Sequence, residues 1–130
     1  MYSETTRSVL ITVETEYLPE QSEPERRRYF WAYHVTIENQ GQETVQLLNR
    51  YWNIVDGAGH VEEVAGPGVV GEQPALGPGQ RFKYTSGAPL AVPGGFMSGH
   101  YEMVTASGER FNATIPAFSL DLPHQAARVH

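Results

Sequence analysis

Val9, Ile11, Val13, Thr15 and Tyr17 alternate with Leu10, Thr12, Glu14 and Glu16, so this segment has one apolar side and one mostly polar side. A period of two predicts a β-strand with a single buried face, closed here by Pro19. The polar run PEQSEPERRR turns the chain. Tyr29, Trp31, Tyr33, Val35 and Ile37 then line the buried face of a second strand, whose other face carries His34, Thr36 and Glu38. ENQGQE ends it as a turn by its Asn and Gly content. Over residues 44–55 the alternation slips at Leu47 and Leu48, two adjacent apolar residues that cannot both face inward without a bulge or a bend. A bent third strand follows from this, and DGAG at residues 56–59 predicts a hairpin turn into HVEEV.

Residues 66–79 are crowded with glycine and proline and predict a long loop. Phe82 and Tyr84 next alternate with Arg81, Lys83 and Thr85 in a fourth long strand, and SGAPLAVPGG is expected to return the chain across the domain. Met97, Tyr101 and Met103 mark one further strand and Phe111, Ala113 and Ile115 another, joined by the turn ASGE. No helical period is sustained. The reading is all-β, a two-sheet antiparallel sandwich of about seven strands of the immunoglobulin or fibronectin type III kind. Trp31, Trp52, Tyr33 and Tyr51 are expected to fill its core, and Tyr101 to pin an inter-strand corner. Residues 1–123 read as a single domain. Residues 124–130, HQAARVH, lack a core pattern and are expected to fray.

At 130 residues such a domain can form a core without staples. The chain has no cysteine, which excludes disulfides and thiolate metal sites and leads us to expect a reducing, cytoplasmic setting. No apolar run approaches the roughly 18 to 20 residues that span a bilayer, so membrane insertion is not expected. The formal net charge of −6 repels phosphate backbones and argues against a nucleic-acid partner. The one basic run, Arg26-Arg27-Arg28, follows EPE and reads as a solvated turn.

Candidate chemistry centres on GPGVVGEQP, residues 66–74, where Gly66, Gly68 and Gly71 give the spacing G-x-G-x-x-G. In a dinucleotide fold that spacing must follow a strand and open a helix whose amides receive the pyrophosphate. Here Pro67 removes a donor, no helix can follow, and the G-K-[ST] ending of a P-loop is missing. Two readings stay open. Successive amides around residues 68–71 could form a concave nest for an anion, with Arg81 and Lys83 adding positive charge from the outer face of the next strand. Alternatively the glycines only let the chain turn, and Val69 and Val70 pack down as a plug. His34, His60 and His100 lack the close spacing of a metal-ligand pair, so no metal site is expected. Asp56 near His60, or Ser98 near His100, is not a triad on sequence nearness alone. No catalytic residue is assigned, no enzyme activity is expected, and no cofactor is implied.

The blocks YFWAYHVTIENQG, VQLLNRYWNIVDGAGHVEEV, GPGVVGEQPALGPGQRFKYTSGAPL, GFMSGHYEM and GERFNATIPAFSL occur in the order found in the bacterial ApaG family, which the chain resembles over residues 8–122. The resemblance implies a fibronectin type III-like sandwich. Similar domains are attached to eukaryotic F-box proteins and to a polymerase-δ-interacting protein, where they look like interaction modules. Bacterial members are linked genetically to a diadenosine tetraphosphate hydrolase and, by older description, to cobalt and magnesium efflux. The family's glycine loop is associated with pyrophosphate, and Gly66, Gly68 and Gly71 match its three glycines. The leading expectation is a non-enzymatic module that binds an unidentified protein partner. The alternative is a sensor of pyrophosphate or dinucleoside polyphosphates at residues 66–71, linked to cobalt and magnesium tolerance.

Overall fold

A computed structural model describes residues 1–123. Its first element, β1 (Tyr2–Thr6), precedes the first strand read from the sequence. It pairs antiparallel with β2 (Val9–Tyr17), so that Thr6 lies opposite Val9 across a turn made by Arg7 and Ser8 at positive φ. Two single-turn 3-10 helices, Pro19–Gln21 and Pro24–Arg26, carry the chain to β3 (Tyr29–Asn39). Arg26, Arg27 and Arg28 are all exposed on this connection. The remaining strands are β4 (Val45–Asp56), β5 (Val61–Pro67), the two-residue β6 (Ala75–Leu76), β7 (Arg81–Leu90), β8 (Gly95–Thr105) and β9 (Arg110–Leu120).

All the pairings are antiparallel. One sheet runs β1-β2-β3-β7, and the other runs β5-β4-β8-β9 with β6 attached to β4. The fold is thus the expected two-sheet sandwich, with nine strands among the described residues rather than about seven. Each sheet turns its apolar face inward, and the buried side chains join in one cluster built on Trp31, Tyr33, Ile37, Leu47, Trp52 and Phe118 together with their neighbours. Trp31, Tyr33, Val35 and Ile37 are all buried while His34 is not, so the register read for this strand holds.

Three expectations need correction. Tyr51 is not a core residue: it lies on the outer face of β4 and stacks on His100 of β8 with ring centroids 5.1 Å apart. Tyr101 does not pin a backbone corner, because its buried hydroxyl meets that of Tyr84 in the opposite sheet. SGAPL does not leave the sheet but continues β7 to Leu90. Pro89 is tolerated there because β7 is an edge strand, where a missing donor breaks no ladder.

The slip at Leu47 and Leu48 is a β-bulge. Leu47 faces Met103 and Asn49 faces Glu102, which leaves Leu48 as the extra residue. A second bulge interrupts β8 and β9, where Met97 pairs with Phe118 but Gly99 with Ile115, so that Pro116 and Ala117 carry the surplus. The tail expected to fray, residues 124–130, lies outside the described residues.

Candidate functional site

The β-bulge in β4 positions the glycine loop. Leu48 sits outside the ladder, and its carbonyl accepts the Gly68 amide at 2.8 Å and the Gln73 side-chain amide at 2.9 Å. Leu47 donates to the Pro74 carbonyl at 3.0 Å, so both ends of the loop are fastened to the same irregular stretch. Between them, Val69 and Glu72 exchange two backbone hydrogen bonds of 2.8 and 2.9 Å around a two-residue turn. Both central residues, Val70 at φ 44° and Gly71 at φ 81°, lie in the positive-φ region that such a turn requires.

Each glycine of the G-x-G-x-x-G spacing has a separate structural reason. A Cβ on Gly66 would come 3.2 Å from the Arg50 guanidinium, so Gly66 makes room for that side chain. A Cβ on Gly68, at φ 64°, would fall 2.4 Å from the Glu72 carbonyl oxygen. Gly71 has open space around it, and only its φ favours glycine. The loop is therefore shaped by its own packing. Gly68 and Val69 donate their amides within the chain, which removes two of the four donors of an anion nest over residues 68–71. The plug reading is half right, because Val69 is 1% exposed and Val70 is 57% exposed.

The carbonyls of this loop, rather than its amides, converge on a charged group. Arg50 Nη1 donates to the Pro67 carbonyl at 2.9 Å and to the Gly68 carbonyl at 3.0 Å. Arg50 lies on the inward face of β4 and makes no ion pair among the described residues. Arg81 and Lys83 do not join it. They share the outer face of β7, as their alternation implied, whereas Val69 and Val70 line one cavity with the inward residues Tyr84 and Ser86. Arg81 instead approaches Glu38 at 3.6 Å, and Lys83 borders a shallow polar trough of about 470 Å³ with Glu14 and His34. The structure thus separates the two proposed cations from Gly66, Gly68 and Gly71, and puts Arg50 where they were expected.

Arg50 occupies one end of a cleft between the free edges of the two sheets, β5 on one side and β7 on the other. Beside Arg50 the cleft holds about 200 Å³ lined by Tyr33, Trp52, Val69, Val70, Tyr84 and Ser86. It continues into about 260 Å³ walled by Trp52, Ile54, Val64, Leu90 and Met97, with Glu62 at the rim. Burial raises the Tyr33 pKa, and the Ser86 hydroxyl and the Arg50 charge work against that shift. The phenol therefore stays neutral and able to donate. Burial likewise pushes Tyr84 and Tyr101 well above the usual tyrosine range. Neither is poised as a base.

His34, His60 and His100 lie apart from one another. His34 bonds Thr85 at 2.8 Å on the outer face of one sheet, His60 sits in the β4–β5 turn 3.3 Å from Asp56, and His100 stacks on Tyr51. Among the described residues no three metal-ligating side chains gather. Among the described residues no helix is long and apolar enough to cross a membrane. Sequence reasoning missed Arg50 because the slip at Leu47 and Leu48 breaks the alternation just before it and the carbonyls that hold it lie 17 and 18 residues along the chain. The available clue was its place on the inward side of the alternation, next to Trp52.

Comparison with known proteins agrees with this architecture. The family model described as ApaG domain matches residues 19–105. Protein ApaG of Rhodospirillum centenum is 64% identical over 128 residues, covering 98% of each chain, and that of Parvibaculum lavamentivorans is 62% identical over the full length of both. A crystal structure from Bordetella pertussis, described as an ApaA protein, superposes with a TM-score of 0.87 at 45% identity over 88% of this chain and 94% of its own. With its sandwich, its glycine loop and its near-complete overlap with these relatives, the chain belongs to the ApaG family.

Proposed function

We propose that this chain is a non-enzymatic binding module that captures an extended segment of a protein partner in the cleft between β5 and β7. The observation that carries the reading is Arg50, a cation on the inward side of the sandwich with no acidic partner among the described residues. This side chain is half-buried, and the two loop carbonyls on its Nη1 supply only part of the acceptors that a guanidinium can engage. A partner carboxylate would supply the rest. Two sheet edges flank the cleft, and an edge strand presents unpaired backbone groups that favour the addition of another strand. Val70 adds a third feature, an exposed β-branched residue held at positive φ on the cleft rim. Such strain persists only where the surrounding structure fixes it, and it is often found at binding sites.

The partner is proposed to be cytoplasmic, a setting that suits a cysteine-free chain, and any link to cobalt or magnesium tolerance would then pass through it. The test is photo-crosslinking in cells from a reactive residue placed at Val70 and, in parallel, at Thr36 on the outer face. Adducts to a polypeptide from position 70 and not from position 36 support the cleft. Adducts only from position 36, or none from position 70, overturn it.

A further inference from the structure

The β4–β5 register fixes how charge is arranged along the cleft. Arg50 lies opposite Gly66, Trp52 opposite Val64, and Ile54 opposite Glu62. These inward positions form three consecutive steps, cationic, apolar and anionic. A strand rises about 3.4 Å per residue, so the charged steps are about 14 Å apart with a tryptophan floor between them. Across the cleft β7 presents Ser86, Ala88 and Leu90 inward, and its other edge is unpaired; Pro89 offers that edge no donor, so the ladder to an added strand rests on the residues before it. Glu62, like Arg50, forms no ion pair among the described residues.

From this juxtaposition we infer that the partner segment is an extended strand of the pattern basic–x–apolar–x–acidic, added antiparallel to β7. The inference rests on the binding-module reading and goes further, in that it specifies the ligand's side chains. In a strand, residues two apart share a face, so positions i, i+2 and i+4 of the ligand advance in step with Glu62, Val64 with Trp52, and Arg50. The direction follows from β7, which runs from the Arg50 end at Tyr84 towards the Glu62 end at Leu90. An antiparallel strand therefore enters beside Glu62 with its basic residue and leaves beside Arg50 with its acidic one. Antiparallel pairing is the more stable arrangement per residue, which favours this order over its reverse. The large apolar side chain at i+2 fills the cavity of about 260 Å³ between Val64, Leu90 and Met97. Arg50 keeps Nη1 on the two loop carbonyls, so the ligand carboxylate meets the remainder of the guanidinium.

Selection from a displayed library of random nonapeptides tests the pattern, with binding located by amide chemical shifts in the purified protein. The expected result is enrichment of basic–x–apolar–x–acidic sequences that perturb β5 and β7. Glu62→Lys, an exposed substitution, should leave the fold intact and shift the preference at i from basic to acidic, with at least a tenfold loss of affinity for the original peptides. Arg50→Lys should weaken peptides acidic at i+4 and spare those that are neutral there. Peptides that bind the cleft with no charge preference, or with one that Glu62→Lys leaves unchanged, overturn the inference while the module reading survives. Absence of any peptide that perturbs β5 or β7 overturns both.

Discussion

Two tyrosine hydroxyls link the sheets at the centre of the sandwich, Tyr84 from β7 and Tyr101 from β8, and each is the other's partner. Removing one strands the other in an apolar interior, so Tyr84→Phe and Tyr101→Phe should each cost about 1 to 3 kcal/mol. The double change removes both polar groups and should cost clearly less than the sum, which urea denaturation of the four proteins will show. The same burial sets a pH dependence. The folded pKa of Tyr33, Tyr84 and Tyr101 lies above the ordinary value of 10.0, so the folded state holds these protons more tightly than the unfolded chain. Their contribution is complete below pH 10.0 and is lost as pH rises beyond it. Denaturant midpoints should fall on the alkaline side, less steeply in the Tyr84→Phe, Tyr101→Phe protein. Val70 is the opposite case, a residue held in a conformation it disfavours. Val70→Asn places Asn-Gly in a turn with two positive-φ positions and should stabilise by about 1 kcal/mol. If the cleft rim works as proposed, the same change weakens partner capture.

At the level of elements, unbroken alternation was legible and so was the slip at Leu47 and Leu48, while a strand without an apolar period and the late bulge in β9 were not. β2 and β3 place every second residue inward, and their register follows from the period alone. β1 has no apolar period, since only Tyr2 and Thr6 of its five residues are even partly buried, and its turn uses Arg7 and Ser8 in place of glycine. Nothing local marks it as a strand. β9 was read only to Ile115 because the bulge at Pro116 and Ala117 shifts the inward set to Phe118 and Leu120. In the glycine loop, the spacing of Gly66, Gly68 and Gly71 was visible, but the reason for each glycine lies in a long-range neighbour. The structure ranks them. Gly68→Ala forces a methyl group against the Glu72 carbonyl at a positive φ, whereas Gly71→Ala meets strain in φ alone. Thermal melts should show Gly71→Ala costing about 1 kcal/mol and Gly68→Ala considerably more, with loss of the Val69–Glu72 turn.

For the molecule as a whole, the net charge of −6 and the inward Arg50 pull in opposite directions on any anion. The global field disfavours a multiply charged ligand, while one guanidinium with Nη1 already committed to two carbonyls offers limited compensation. Arg81 and Lys83, the other candidate cations, project from the far side of β7 and add nothing at the loop. A pyrophosphate or dinucleoside polyphosphate bound at residues 66–71 would stabilise the fold by about 2.7 kcal/mol at a hundredfold excess over its dissociation constant. For a domain of this size that is a shift of many degrees, well within the reach of a melt. The expected outcome is no shift at sub-millimolar ligand, with Arg81→Ala and Lys83→Ala each staying within about 0.5 kcal/mol of the parent stability. A clear shift that Arg50→Lys removes would make the cleft a phosphate site built on a guanidinium. A shift that survives in Arg50→Lys but disappears when Arg81 and Lys83 are both Ala would locate the ligand on the outer face of β7 and displace the cleft as the functional surface.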